Sequence, residues 1–513
     1  MLVLAACSDD AADVSPVEDA NEGNAEPEDV AEGGEIRIAM GALPPVLDPV
    51  QYNTPPNNFV QDMLFSTLTK VNSTGDEVVI EPYLAESWEH VDDLVWEFYL
   101  QKGLEFPNGE PLDAEAVVWS TEFVLDPDSN KAMASRINTI EKIEAVDETT
   151  VRITTTDADP LLPSRMGALA IMPPGDFKKR GEEEFLSDPI GTGPFAVEEF
   201  VPGQRLVVVP NEHSAGPTPN LDSMEFEVIP ESGSRISALR AGDVDVVHRL
   251  PTEQIESVEG DGYQVVGQVE SGTYNLTMVQ EDGPLADPQV RRALQYAIDR
   301  ETINDRILAG LGETASQLVN PGFTGYCEDI EPLPYDPERA REMLADAGYP
   351  DGFEVDMQAS RGFLVNDDTL AEAVAGYLTE VGVKVNLDIM EYGPFLDAFY
   401  DPAQRTGLYA WRVSANPFLD ADLSMSFWLS EDPVHRAPYS NKQYDDLFLE
   451  ARQELDEDRR QELLCDATEV LLEDAPVLIM LHLPDVWAMT DEIANFQIEA
   501  YGVPVFHDVG LSQ

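Results

Sequence analysis

The chain has 513 residues, 43% of them hydrophobic and 25% charged, an ordinary soluble composition long enough for two or more lobes. Its 99 Asp+Glu against 30 Lys+Arg give a formal net charge of −69, which excludes a binder of nucleic acid or anionic lipid because both would be repelled. An acidic ligand would need a locally placed cation. Self-repulsion on this scale points to a saline habitat, where the Debye length shrinks from ~8 Å at physiological ionic strength to ~3 Å at 1 M.

In chain order, Leu4-Ala5-Ala6-Cys7 has the small residues and cysteine of a lipidation box, although only six residues precede Cys7. Ser8 to Gly34 is acidic, Ala/Pro/Gly-rich and without a basic residue, a composition that reads as a tether. No later stretch approaches the ~18 consecutive apolar residues of a membrane helix, so attachment through a lipid is the only membrane contact expected. Ile36–Met40 alternates as a first strand. Between 78 and 180, short alternating runs (Val95–Leu100, Thr150–Thr154) and a helical stretch at Ala114–Val124 predict an inserted α+β subdomain. Strands are expected at Arg205–Val209 and Met224–Ile229. Asp287-Pro288 and Asp336-Pro337 each supply an N-cap and a first-turn proline for a helix. A third helix runs from Leu370 to Val381 and leads into a strand at Val383–Ile389. A long helix at Asp458–Leu472 precedes a buried strand at Val477–Leu481. Strands interleaved with helices make the fold α/β.

Among the three cysteines, Cys327 and Cys465 can form a disulfide outside the cytoplasm or stand as two unrelated buried thiols. No cysteine or histidine cluster has metal-ligand spacing. Nucleophile-elbow, zinc-protease and phosphate-loop motifs are missing, so neither an enzyme nor a bound cofactor is expected.

Several segments, each weak alone, recur in a fixed order: Leu47–Pro49, Pro82–Trp88, Phe106–Leu112, Gly191–Phe195, Leu239–Asp245, Val290–Asp299 and Tyr335–Ala340. Through them the chain resembles the solute-binding proteins of the peptide/nickel family of ABC importers, extracellular solute-binding family 5. The resemblance implies a periplasmic-binding-protein-like type II fold with two lobes and a two-segment hinge. Lobe I would take 33–77, the inserted 78–180, 181–272 and the return at 479–513; lobe II would take 273–478. Residues 1–32 would be lipobox and tether. The chain crossings are expected near Gly272–Leu276 and Ile479–Pro484.

The resemblance also places ligand contacts. In dipeptide-binding relatives an Arg ahead of Gly-Val-Lys-Val pairs with the peptide carboxylate, and Arg361 takes that position before Gly382–Val385. A guanidinium grips a carboxylate bidentately, best in a dry cleft. The Asp that holds the peptide amine in relatives is replaced in Ala410–Pro417, where Ser414 lies nearest. A serine cannot supply the countercharge, so the amine is held elsewhere (Asp420 and Asp422 are near in sequence) or the cargo lacks one. Trp411, Arg412, Tyr274, Tyr52 and Asn53 complete the expected contacts. The implied partners are a small solute, peptide-like first and otherwise an oligosaccharide, opine-like acid or metal chelate, and the permease subunits with their cytoplasmic ATPases. The protein is expected to act as a monomer in the cell envelope.

Overall fold

A computed structural model describes residues 30–51, 55–73, 78–280, 283–414, 418–431, 438–500 and 502–513. The strand β1 (Glu35–Met40) and helix α1 (Pro55–Leu64) open the fold. The insertion contributes β2 (Ala85–Asp92), β3 (Val95–Leu100), α2 (Ala114–Leu125), β4 (Ile140–Ala145) and β5 (Thr150–Thr155). Then come β6 (Phe195–Val201), β7 (Arg205–Pro210), β8 (Ser223–Val228), α3 (Ser232–Ala241), β9 (Val246–His248) and the 15-residue β10 (Gln264–Met278). The following half holds α4 (Pro288–Tyr296), α5 (Pro337–Asp346), β11 (Phe353–Arg361), α6 (Asp367–Glu380), β12 (Val383–Glu391), α7 (Tyr392–Tyr400), β13 (Leu408–Val413) and α8 (Ala421–Ser426). It ends with α9 (Glu457–Asp474) and β14 (Val477–Met489).

The helix starts follow local chemistry. Asp113, Asp287, Asp336 and Asp456 each accept a backbone N–H of the first turn of the helix that follows, satisfying donors that have no partner within the helix. The α6 helix begins earlier than Leu370, because Asp367 folds back onto the N–H groups of Gly362, Phe363 and Leu364 and fixes the turn before it.

One sheet runs through the whole molecule, in the order β12-β11-β13-β10-β14-β9-β1-β8-β7-β6. Its two central strands carry both lobes. Residues 264–269 of β10 pair with 484–489 of β14, and residues 273–277 pair with 477–482, with register irregularities between Val269 and Thr273 and between Tyr274 and Asn275. The cores change over the same span. Val265, Val486 and Ala488 belong to a cluster with Ile236 and Val247, whereas Tyr274, Leu276, Leu481 and Leu483 pack with Leu294 and Leu370. The short buried strand expected at Val477–Leu481 is thus one end of a 13-residue strand buried along its full length. Its period gives no boundary, because elements cover both of its faces.

The expected insertion is a four-stranded sheet, β2-β3-β5-β4, yet it has no core of its own. Phe98 and Ile153 from it join Ile36, Leu206 and Phe226 in one cluster. Gly272, at the irregularity in β10, has φ 122°, and a Cβ there would lie 2.5 Å from the Val413 carbonyl oxygen. The close approach of β13 therefore requires glycine at this point.

Cys327 and Cys465 are joined in a disulfide that ties the loop before α5 to α9, with Cα atoms 5.7 Å apart and a sequence separation of 138. Because Gln317 and Gln461 already bond to the backbone around Cys327, the staple adds to an ordered site. Cys465→Ser is expected to lower stability by about 2 kcal/mol, read as a drop in urea midpoint in 1 M salt. An unchanged midpoint would show that the bond is dispensable.

Candidate functional site

Between the lobes lies a cavity of ≈ 970 Å³. Its lobe I wall is built on the exit of β9. There Arg235, on α3, is buried and donates to the carbonyl oxygens of Ile229, Pro230, His248 and Arg249 at 2.8–3.2 Å. The bonds to the His248 and Arg249 carbonyls brace Arg249 in the left-handed region at φ 54°, a conformation that costs a non-glycine residue about 1–3 kcal/mol. The result is that Arg249 reaches across the cleft. Its Nη1 donates to the Phe363 carbonyl oxygen of lobe II at 2.7 Å.

Beside it, the His248 ring stacks on Trp487 with centroids 4.2 Å apart. His248 Nε2 lies 3.2 Å from Asp485 Oδ2, and Trp487 Nε1 donates to the same oxygen at 2.9 Å. Burial holds the His248 pKa below its ordinary value, and Asp485 offsets that only in part. Burial works against ionised Asp485, but His248, Arg249 and the Trp487 N–H outweigh it and lower its pKa. Arg412 from β13 pairs with Glu270 from β10. Burial, and then the like charge of Arg249, pull the Arg412 pKa down to about 10. The same two causes bring Arg235 to about 10.

The lobe II wall is aromatic. Phe363, in the turn after β11, stacks on Tyr392 at 3.8 Å and 3°. Phe399 meets Trp411 at 4.7 Å, and Trp411 meets Phe427 at 5.5 Å. All five rings line the cavity.

Three of the expected ligand residues, Trp411, Arg412 and Ser414, line this space. The Trp411 indole N–H donates to Thr277 Oγ1 at 2.8 Å, which orients the ring, and the Ser414 hydroxyl donates to the Ser271 carbonyl at 3.3 Å. Arg361 is a correction: its side chain is exposed and outside the lining, while its neighbours Ser360 and Gly362 face the cavity. Tyr274 is a second correction. It is 1% exposed inside the lobe II core, because at that point β10 is covered on both faces. Asp420 and Asp422 are not available to an amine. Asp420 caps α8 and takes both terminal nitrogens of Arg460, and Asp422 pairs with Arg165 and Arg452. Tyr52, Asn53 and Cys7 lie outside the described residues.

Sequence reasoning missed Arg249 and Arg235. Composition alone singles out any arginine in a chain with 30 basic residues against 99 acidic ones, but nothing around Arg249 or Arg235 in sequence shows where its side chain goes. Among the described residues no group of three or more His, Cys, Asp or Glu could hold a metal ion, and no helix is long and apolar enough to cross a membrane.

The family model described as "Bacterial extracellular solute-binding proteins, family 5 Middle" matches residues 79–435, more than half of the chain. The chain belongs to bacterial extracellular solute-binding family 5. Family 5 consists of substrate-binding proteins of ABC transporters, not enzymes. The chain is 28% identical over 464 residues to heme-binding protein A of Haemophilus influenzae, covering 84% of each. It is 26% identical over 485 residues to the dipeptide-binding protein of Escherichia coli, covering 87% of this chain and 89% of that one. In structure it is similar to the periplasmic binding protein DppA of Helicobacter pylori in complex with the peptide STSA, with TM-score 0.79, 23% identity and coverage of 94% and 99%. That likeness shows the fold, the two-lobed type II architecture of family 5 periplasmic binding proteins.

Proposed function

We propose that this family 5 protein captures a peptide-like solute between its lobes, outside the cytoplasmic membrane, and hands it to the permease of an ABC importer. The carrying observation is the cavity of ≈ 970 Å³ walled by Arg249 and Trp487 from one lobe and by Phe363 and Trp411 from the other. Its size is at the upper end of the range for small-molecule sites, roughly 300–1,000 Å³. A ligand that touches both walls favours the closed form by its differential contacts, and a permease can read that form. In this reading Cys7 carries the lipid anchor, residues 1–32 are the tether, and the protein works as a monomer.

A second reading, a non-peptide solute on the same fold, is favoured by one observation: among the described residues, the two carboxylates lining the cavity, Glu270 and Asp485, already have partners. Thermal unfolding in 1 M salt with di- and tripeptides, opine-like acids and oligosaccharides separates the two. A bound solute at 100 times its Kd is expected to add about 2.7 kcal/mol. Because Trp411 and Trp487 line the cavity, the same ligand should change the indole fluorescence. No compaction in small-angle scattering with any of these solutes would count against solute capture.

A further inference from the structure

The charge in the cavity runs against that of the chain. The described lining includes Lys131, Arg136, Arg235, Arg249 and Arg412, with Glu270 and Asp485 as its carboxylates, in a protein whose acidic residues outnumber basic ones by more than three to one. Partners account for much of this. Lys131 is neutralised by Asp48 and Glu182 behind the wall. Arg412 and Glu270 satisfy each other. Arg235 spends its donors on four carbonyl oxygens, and Asp485 receives the His248 and Trp487 N–H groups.

With Lys131 and Arg136 held by partners of their own, setting Arg235, Arg249 and Arg412 against Glu270 and Asp485 leaves one positive charge over. Arg249 is where it can be met from the cavity. Among the described residues it makes one side-chain hydrogen bond, to the neutral Phe363 carbonyl, lies 5.9 Å from the Phe363 ring centroid, and forms no ion pair with a carboxylate. The backbone of Arg249 is left-handed, its carbonyl is held by Arg235, and its guanidinium spans from lobe I to the Phe363 carbonyl of lobe II. Opposite it stand the rings of Phe363, Tyr392, Phe399, Trp411 and Phe427. A planar guanidinium in a partly dry cleft binds an acidic oxygen pair by two parallel bonds, and an aromatic wall takes a flat or bulky apolar body.

We propose that the cargo is an anion with an aromatic or bulky apolar body and no free ammonium group, its acidic group bound by Arg249 and its body laid on the aromatic wall of lobe II. A free ammonium would be costly here, because the cavity carboxylates are committed and an unpaired buried charge is strongly disfavoured. The inference rests on the reading that this cavity is where solute is captured. It places the anion on lobe I, at a residue far in sequence from the arginine expected on lobe II.

The test uses the full chain in 1 M salt and three probes with the same aromatic body. They are N-acetyl-phenylalanyl-glutamate (anionic), phenylalanyl-alanine (zwitterionic) and phenylalanyl-alanine amide (cationic). Calorimetry is expected to rank them in that order, with at least a tenfold gap between the first and the last. Arg249→Gln should weaken the anionic probe at least tenfold, and Arg249→Lys less. Equal or tighter binding of the cationic probe, or an unchanged affinity of the anionic probe in Arg249→Gln, overturns the proposal. If none of the three binds but a yeast-extract hydrolysate still compacts the protein in scattering, the solute class is wrong while solute capture stands. If the hydrolysate produces no compaction either, both fail.

Discussion

Asp422→Ala is expected to destabilise the protein by about 3–5 kcal/mol. Asp422 is buried on α8 of lobe II and holds two arginines. Arg165 of lobe I reaches its Oδ2 at 3.3 Å, and Arg452 of lobe II reaches Oδ1 at 2.6 Å. Burial alone would raise the Asp422 pKa. The charges of Arg165, Arg452 and Arg460 together overcome that, and the carboxyl is held below its ordinary value. Arg165 also pairs with Asp159 at 2.8 Å and is 4% exposed, so the alanine variant leaves a buried guanidinium with half of its countercharge. The pair crosses between lobes, which means that the loss should appear in closure as well as in stability. Urea unfolding in 1 M salt measures the first, and scattering of the unliganded protein the second. A loss below about 1 kcal/mol would show that water replaces the carboxylate without difficulty, and that the ion pair is not what holds this interface.

Acid should destabilise the hinge through His482. This residue is on β14, 2% exposed, with Nδ1 at 3.2 Å from both Thr273 Oγ1 and the Gly272 carbonyl oxygen on β10. Burial lowers its pKa to about 4, and the bond to the Gly272 carbonyl offsets that only in part. In the unfolded chain it titrates near 6.5. Above that pH both states hold the neutral ring and the residue contributes no pH dependence. Between about 6.5 and 4 the unfolded chain takes a proton that the folded one refuses, so stability falls as pH falls through this window. Below about 4 the contribution levels off, at roughly 3 kcal/mol lost. Unfolding of wild type and His482→Gln at pH 7.5, 5.5 and 4.5, in constant 1 M salt, separates the contribution of this histidine from that of the many carboxylates. Parallel pH profiles for the two proteins would assign the acid sensitivity elsewhere.

Most of the architecture was readable from residues whose local chemistry has one outcome. Asp-Pro pairs capped α4 and α5, alternation marked β3 and β5, and the ordered run of short motifs carried the two-lobed fold. What could not be read was of two kinds. Strand β14 is covered on both faces along its whole length and β10 from Ser271 onward, so those stretches show no period from which to take an end. Of the expected contacts, those that the structure brings to the cavity lie on or directly after β13: Trp411, Arg412 and Ser414. Arg361 sits at the end of β11, where the chain turns at Gly362, and sequence position alone does not say which way such a side chain leaves. Arg249 depends on a left-handed backbone that a distant arginine imposes through carbonyl oxygens, a constraint with no local signature.

The two central strands pass from one core to the other without leaving the sheet, and this limits how the halves can be taken apart. No exposed tether joins the lobes at β10 and β14, so a protease working on the native protein finds no linker there whose cutting would free an intact half. Chimaeras that graft the ligand-binding half of one relative onto this one would have to splice inside a hydrogen-bonded ladder, between Val269 and Thr273 and opposite residues 482–484, where the register already breaks. Lobes built this way should melt together rather than in sequence.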